Sequence, residues 1–238
     1  DPTPHNPATQ LNRPITGEEV TQAVRLLSNG RAAGCDDMSG ELYKYTTPSI
    51  HHLMAAMYNT VFAKRQSVPV LLDGTLIVLN KPGKIPTIDN TRPITLLTTT
   101  RKVLSTVVLR RIFPRIDNYL SPGQSGFRRG RSTTDVLWTY RWLAAVSARQ
   151  NKDFSIMGID MSKAFDTIHR IKLMQVLSTL LQDDEIRIIN YLLSDTTLTI
   201  RVGEHTGARF STLIGTPQGD ALSPLLFTIY LEAALRDF

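Results

Sequence analysis

The chain has 238 residues, of which 42% are hydrophobic and 20% are charged, which is enough to bury the core of one or two ordinary domains. Its single cysteine, Cys35, excludes a disulfide framework and a cysteine-based zinc site, and it favours a reducing, intracellular setting. No stretch approaches the roughly 18 apolar residues of a membrane-spanning helix, so no membrane partner is expected.

The net charge of +6 is spread unevenly along the chain. Residues 61–150 carry 15 basic and 4 acidic residues, whereas residues 151–238 carry 8 and 11. This pattern is expected of a protein that grips a polyanion beside a site for metal cations. Solvated helix faces would produce the same totals, and composition leaves that alternative open.

The N-terminal part predicts a polar lead-in followed by two helices. Residues 1–14 are polar, and a capping box of Thr16 and Glu19 opens an amphipathic helix that ends near Gly30. A second helix is predicted from about 48 to 65, with these residues on its apolar face: Ile50, Leu53, Met54, Met57, Tyr58 and Val61. The adjacent His51 and His52 point apart on a helix, so both are expected on the surface rather than in a metal site.

A hairpin and a long helix are predicted next. Residues 76–80 read as a strand, KPGK at 81–84 as a turn, and ITLLTT as a second extended stretch. The helix that follows, from about 100 to 120, directs most of its basic side chains outward, namely Arg101, Lys102, Arg110, Arg111 and Arg115. Pro114 is expected to bend or end this helix.

A glycine-rich stretch, GQSGFRRGRST, places Arg128, Arg129 and Arg131 outside any helix face. We expect a loop that contacts nucleic-acid phosphates, with a solvated surface as the alternative. The pattern beyond it predicts a helix at 133–150, a buried strand at 154–159, two further helices, a second hairpin around GEHTG and a final apolar helix.

Two carboxylates follow the apolar run of FSIMGID: Asp160 ends the predicted strand and Asp166 comes six residues later. An aspartate at the carboxyl end of a buried strand offers oxygen ligands to a hard cation such as Mg²⁺. The alternative is a cap for the next helix. That alternative suits Asp166 better than Asp160, because no clean helical period begins beside Asp160.

The GTPQGD loop, residues 215–220, precedes the final helix. Its glycines and proline allow the backbone beside Gln218 to approach a ligand closely, and the helix N-terminus behind it favours anions. Asp220 and Pro224 also fit a plain helix start, as N-cap and first-turn proline. The loop alone therefore does not decide between a ligand site and a helix start.

The order of six motifs carries more information than any one of them. RAAGCDD, LNKPGK, RPITLL, QSGFRRGRSTTD, GIDMSKAFD and GTPQGDALSPLLF closely resemble the successive blocks of reverse transcriptases of the non-LTR retrotransposon and group II intron lineage. The resemblance runs from about Ile15 to the last residue. DMSKAFD, together with the GTPQGD loop and the LSPLLF helix, is more similar to the retrotransposon branch.

The resemblance implies roles for single residues. Asp160 matches the first catalytic aspartate, which binds both metal ions, and the backbone carbonyl of Met161 matches a further ligand. Phe165 matches the aromatic steric gate that excludes a 2′-hydroxyl. The remaining matches contact the incoming nucleotide, by loop packing or through its triphosphate: Gln218, Gly219, Lys81 and Arg92, with Lys84 as the alternative to Lys81.

The resemblance also implies a fold, a reaction and partners. The fold is α+β, a right-hand polymerase with helix-rich fingers and an antiparallel palm sheet. Two Mg²⁺ ions would support attack of a primer 3′-hydroxyl on a dNTP, so an RNA template, a DNA or RNA primer and dNTPs are expected partners, in the nucleus or the cytoplasm. The implied divisions are a lead-in (1–14), fingers (15–152), palm (153–181), a fingers hairpin region (182–213) and a palm helix (214–238).

One departure from the family bears on activity. The family supplies further catalytic aspartates from a hairpin reading Phe or Tyr, any residue, Asp, Asp, and the 238 residues contain no such pattern after the GTPQGD helix. We therefore expect a fragment of a larger polymerase that is inactive alone. The alternative is a non-catalytic RNA-binding module of reverse-transcriptase shape, which would need none of Asp160, Phe165 and Gln218.

Overall fold

The computed structural model describes residues 11–83, 85, 87 and 90–237. Most of the predicted lead-in, Lys84 and Phe238 lie outside these residues. Within them the chain forms nine helices and four strands in the order α1 (Gly17–Arg25), α2 (Gly40–Lys44), α3 (Pro48–Lys64), α4 (Pro69–Leu72), β1 (Asp73–Asn80), β2 (Thr91–Leu97), α5 (Thr99–Tyr119), α6 (Thr133–Gln150), α7 (Arg170–Ser178), α8 (Asp183–Leu193), β3 (Thr197–Val202), β4 (His205–Ser211) and α9 (Ser223–Arg236). None of the described helices is long and apolar enough to span a membrane.

The four strands form one sheet in the order β2-β1-β3-β4. Both predicted hairpins are confirmed: β1 pairs antiparallel with β2, with Ile77 opposite Ile94, and β3 pairs antiparallel with β4. The two hairpins are joined by a parallel pairing of β1 with β3, in which Gly74 lies opposite Leu198. A parallel pair needs a long crossover, and here α5 to α8 lie between the two strands in sequence.

The N-terminal helices pack as the apolar periodicity predicts, with one exception. The capping box of Thr16 and Glu19 starts α1, whose Val20, Ala23 and Val24 are buried. On α3, Met54, Tyr58 and Val61 are buried, whereas Ile50 and Leu53 are exposed, so the predicted apolar face was too wide. The face continues instead through Ala55 and Phe62.

The expectation that His51 lies on the surface was wrong. His51 is buried, and its ring nitrogens lie 2.9 Å from the Thr21 hydroxyl and 2.9 Å from the carbonyl oxygen of Tyr43. These contacts satisfy both ring nitrogens, which is what permits a polar ring in the core. His51 is therefore a core residue that links α1 to the end of α2.

Helix α5 continues past Pro114, and two of its arginines that were predicted to point outward have buried side chains. Pro114 lies inside the helix, which continues to Tyr119 instead of ending at the proline. Arg101, predicted to point outward, is fully buried, and the side chain of Arg111 is only 3% exposed because it bonds Glu19 of α1. The helix is thus held to its surroundings by guanidinium groups as well as by apolar packing.

The buried strand predicted at 154–159 is not formed. These residues have no regular secondary structure, and Phe154, Ile156, Met157 and Ile159 are exposed. A strand requires a hydrogen-bonded neighbour, and none of the four described strands pairs with this segment. The preceding helix α6 is confirmed, but it also exposes large apolar side chains, including Trp138 and Trp142.

Candidate active site

The loop at 215–220 is fixed by backbone hydrogen bonds to two separate elements. Gly215 N donates to the carbonyl of Ile168 at 2.8 Å, and Thr216 N donates to the carbonyl of Phe165 at 2.9 Å. On the other side, Thr95 N of the edge strand β2 donates to the carbonyl of Gln218 at 2.7 Å. The loop therefore bridges the sheet edge and the turn that carries Phe165.

Two glycines of this loop are required by close approach. Gly219 has a φ of 121°, and a Cβ there would lie 2.5 Å from the carbonyl oxygen of Thr95. Gly215 has a φ of 74°, and a Cβ there would lie 2.8 Å from the Cα of Asp166. An L side chain is strained at either backbone conformation, so both contacts depend on glycine.

The buried side chain of Arg101 contacts the last residue of the loop, Asp220. The Arg101 side chain is fully buried, and its Nε lies 3.3 Å from Oδ2 of Asp220. Its Nη1 and Nη2 donate to the carbonyls of Leu71 and Leu192 at 2.9 and 2.8 Å. Burial lowers the pKa of Arg101, and the Asp220 carboxylate partly opposes that effect. The guanidinium keeps its proton, so the pair is an ion pair removed from water.

Asp220 is therefore not the N-cap of the last helix, which was the alternative that the loop sequence left open. The N-cap of α9 is Leu222, while Pro224 does lie in the first turn. The Oδ1 atom of Asp220 accepts from Leu222 N at 3.1 Å, and its other oxygen faces Arg101. The burial of Arg101 has a counterpart in the helical spacing. Arg101 precedes the buried Leu104 by three residues on α5, so the two residues share a helix face.

Asp166 belongs to the site and not to a helix cap. The N-cap of α7 is His169, whereas Asp166 lies in a turn closed by a 2.9 Å bond from its N–H to the carbonyl of Lys163. Nε2 of Gln218 lies 3.4 Å from both carboxylate oxygens of Asp166. Burial raises the pKa of Asp166, with the Gln218 hydrogen bond and the charge of Lys163 acting in the opposite direction.

A cleft of about 390 Å³ opens beside this pair, lined by Asp166, Gln218 and apolar residues of the sheet. Arg170, which the sequence analysis did not single out, borders it and organises one wall. Its Nε donates to the carbonyl of Gly215 at 2.8 Å and its Nη1 to the carbonyl of Thr212 at 2.6 Å. Burial, with the charge of Arg101 as a second cause, lowers the pKa of Arg170 to about 10.

Phe165 is held by two other aromatic rings. Its centroid lies 5.1 Å from that of Phe227 on α9, at an interplanar angle of 45°. On another side it lies 6.0 Å from the ring of Phe127, edge to face at 79°. The backbone carbonyl of Phe165 accepts from Thr216 N, so ring and main chain are both constrained next to the loop of Gln218.

The predicted metal ligands lie in the exposed segment after α6. Asp160 and Met161 are exposed, and within the described residues no hydrogen bond or ion pair engages the Asp160 carboxylate. No group of three or more His, Cys, Asp or Glu side chains suited to a metal ion occurs in the described part of the chain. The available donors fit part of an Mg²⁺ coordination sphere, since Mg²⁺ takes one or two carboxylates and completes its sphere with water and phosphate oxygens.

The predicted triphosphate contacts lie on the first hairpin. Lys81 N donates to the carbonyl of Asn90 at 2.8 Å, which closes the end of that hairpin, and Lys84 falls outside the described residues. Arg92 is exposed and lies opposite Leu79. Because strand residues alternate between faces, Arg92 points away from the face of Thr95. The face that Arg92 shares with Ile94 bears a cleft of about 670 Å³, which is lined by Ile94, Gly219 and two cationic residues, Arg31 and Lys102.

Comparison with known proteins identifies the lineage. The family model described as reverse transcriptase (RNA-dependent DNA polymerase) matches residues 79–238. The chain belongs to the reverse transcriptase family. It is 32% identical over 167 residues to the Pol polyprotein of the type-1 retrotransposable element R2 from Popillia japonica, covering 66% of the chain and 22% of that relative. It is 24% identical over 221 residues to the RNA-directed DNA polymerase of the mobile element jockey from Drosophila melanogaster, covering 91% and 24%.

These relatives confirm a reverse transcriptase of the non-LTR retrotransposon lineage. The chain spans between 12% and 25% of the length of the curated relatives it matches. Among solved structures, the partial Cas6-RT-Cas1--Cas2 complex superposes with a TM-score of 0.51 at 20% identity, covering 94% of this chain and 34% of that one. This similarity confirms the predicted α+β polymerase fold.

The arginine-rich loop of the reverse transcriptase is anchored by two of its three predicted template contacts. Arg128 pairs with Asp117 at 2.6 Å and donates to the carbonyl of Ser121 at 2.9 Å. Arg129 lies over the Phe113 ring at 5.0 Å. Arg131 is exposed. The structure therefore brings Gln218, Gly219, Phe165 and Asp166 together. Within the described residues, no hydrogen bond, ion pair or ring contact joins Arg92, Asp160 or the three arginines to them.

Proposed function

We propose that the protein to which this reverse transcriptase chain belongs is an RNA-directed DNA polymerase. It would extend a DNA or RNA primer on an RNA template, using dNTPs, in the nucleus or cytoplasm. The observation that carries the proposal is the backbone bridge from β2 through the Gln218 carbonyl to the Phe165 carbonyl. This bridge holds the Gln218 loop, which would pack against the nucleotide, beside the bulky ring of Phe165. Phe165 in turn follows the exposed carboxylate of Asp160 by five residues.

Each residue has a proposed role in that reaction. Phe165 lies under the sugar and excludes a 2′-hydroxyl by its bulk, while Gln218 and Gly219 pack against the nucleotide. Lys81 and Arg92 contact the triphosphate, for which a guanidinium is suited because it donates two parallel hydrogen bonds. The division into fingers (15–152 and 182–213) and palm (153–181 and 214–238) belongs to the same proposal.

Asp160 and the carbonyl of Met161 are the oxygen ligands that this chain would offer to Mg²⁺. When bound, two such ions lower the pKa of the attacking 3′-hydroxyl and stabilise the leaving pyrophosphate. The protein's own contribution is to keep the Asp160 carboxylate free of competing ion pairs and to orient the nucleotide against the loop of Gln218. We further propose that the chain by itself does not extend a primer, because a single carboxylate does not hold two cations.

Primer extension tests both parts of the proposal. The chain and a full-length protein that contains it are incubated with Mg²⁺, an RNA template, an annealed primer and dNTPs. We expect template-dependent extension by the full-length protein, its loss in Asp160→Asn, and no extension by the chain alone. RNA binding by a full-length protein that never extends a primer would support a non-catalytic RNA-binding module instead.

A further inference from the structure

Phe127 adopts a backbone conformation that its own burial does not explain. Its φ is 57°, in the left-handed region that a bulky residue rarely occupies. The residue is 59% exposed, so core packing does not account for the strained backbone. Strain of this kind persists where the surrounding structure determines it, and it is concentrated at functional sites.

The residues that follow Phe127 fix the loop from outside. Arg128 forms an ion pair with Asp117 near the end of α5, and Arg129 stacks on Phe113 of the same helix. These two side chains bind the loop to α5, while the ring of Phe127 contacts Phe165. The left-handed turn at Phe127 thus lets Arg128 and Arg129 contact α5 while the Phe127 ring contacts Phe165.

The Phe165 ring has two aromatic contacts that come from different parts of the chain. Phe227 is a residue of α9 and packs against the main core. Phe127 belongs to the arginine-rich loop and meets Phe165 edge to face with centroids 6.0 Å apart. Edge-to-face pairs at this separation are attractive and directional. Loss of Phe127 removes one of the two aromatic contacts described for the Phe165 ring and so weakens the restraint on its orientation.

We propose that Phe127 is a positioning residue that holds the Phe165 ring in the orientation that rejects a ribonucleotide. The inference rests on the proposed function, because it requires Phe165 to lie beside the sugar of the incoming nucleotide. It adds that the arginine-rich loop contributes to sugar selection through Phe127, in addition to any contact with nucleic acid. The contact between Phe127 and Phe165 then links the arginine-rich loop to the nucleotide site.

The test compares discrimination, not activity alone. For the full-length protein, kcat/KM is measured for one dNTP and for its ribonucleotide in wild type, Phe127→Ala, Phe127→Tyr and Phe165→Val. An edge-to-face pair corresponds to about a 2- to 10-fold effect, so we expect Phe127→Ala to raise relative ribonucleotide use by about that factor. Phe127→Tyr, which keeps the ring edge, should restore the wild-type ratio. Tyr140→Ala, which removes an exposed ring of α6, is the matched control and should leave the ratio unchanged.

The variants separate failure of this inference from failure of the proposed function. If Phe165→Val raises ribonucleotide use and Phe127→Ala does not, Phe127 has no positioning role while the assignment of Phe165 stands. If Phe127→Ala lowers kcat/KM for the dNTP and for its ribonucleotide by the same factor, the contact is merely structural and the inference is overturned. If Phe165→Val also leaves the ratio unchanged, the sugar-excluding role of Phe165 falls and the role of Phe127 falls with it. The double variant of Phe127→Ala and Phe165→Val should use ribonucleotides no more readily, relative to dNTPs, than Phe165→Val alone. The two residues act through one ring, so their effects should not add.

Discussion

The guanidinium of Arg101 and the carboxylate of Asp220 lie 3.3 Å apart, and both are buried. Arg101 also bonds the carbonyls of Leu71 and Leu192, so one side chain connects α4, α5 and α8 to the loop that carries Gln218. Asp220 follows Gly219 directly, so the ion pair lies one residue from the backbone that packs against Thr95 of β2. The pair therefore helps to hold the loop of residues 215–220 in place, together with the backbone bonds of that loop.

Removal of the Arg101 charge should destabilise the chain severely. Arg101→Met leaves the buried Asp220 carboxylate without its ion-pair partner, and breaking a buried pair from one side costs about 3 to 5 kcal/mol. The free energy of unfolding, measured by urea denaturation, should fall by about that amount. Arg110→Met, which removes only an exposed hydrogen bond from the same helix to Gln22, should lower it by no more than about 1.5 kcal/mol. Equal effects of the two substitutions would contradict the role of the buried pair.

Gly219→Ala should destabilise the chain for two reasons: an unfavourable backbone conformation for an L residue and a steric clash with β2. The added Cβ would lie 2.5 Å from the carbonyl oxygen of Thr95, so the hydrogen bond from Thr95 N to the Gln218 carbonyl must shift. Gly30→Ala is the matched control, because Gly30 has a φ of 69° but open space around it. We expect a loss of about 1 to 2 kcal/mol for Gly30→Ala and a clearly larger loss in urea denaturation for Gly219→Ala. The same loss for both would mean that the loop accommodates the methyl group.

Asp166 should make stability depend on pH in a defined direction. Its pKa is raised by burial, so the folded state holds its proton more tightly than the unfolded state. The contribution of this group to stability is then fully present below its unfolded pKa and is lost as pH rises through its folded pKa. Asp166→Asn does not ionise, so the variant should gain stability relative to wild type as pH increases across that interval. Urea denaturation at a series of pH values measures the difference, and a constant difference would contradict the assignment.

The arginine-rich loop should contribute to nucleic-acid affinity mainly through Arg131. Arg128 and Arg129 already contact Asp117 and Phe113, whereas Arg131 is exposed. If Arg131 neutralises one phosphate of a single strand, Arg131→Ala should reduce the slope of log affinity against log salt by about 0.7. Fluorescence anisotropy with a labelled RNA at several salt concentrations measures the slope. Arg25→Ala, at the exposed end of α1, should leave it unchanged, and an unchanged slope for Arg131→Ala would indicate a solvated loop.

Local signals predicted the regular elements well. The capping box of Thr16 and Glu19, both hairpins and the helices α6, α7 and α8 all follow from interactions between residues close in sequence. The candidate site was predicted in part: Phe165, Gln218 and Gly219 came from matched motifs, and the structure brings them together. For Asp166 the sequence favours a helix cap over a site residue, because its contact with Gln218 spans 52 residues and has no local pattern.

The sequence by itself determined the family, most of the helices, both hairpins and the residue types at the site, because these depend on motif order and on short-range periodicity. Only the tertiary structure decided that the two hairpins form one sheet, that Arg101 is buried and that residues 154–159 are exposed. The partners of Arg101 are 30, 91 and 119 residues away. Burial of a charge, and pairing of a strand, depend on what lies beside it in space. Residues so distant in the chain become neighbours only when the whole fold has formed.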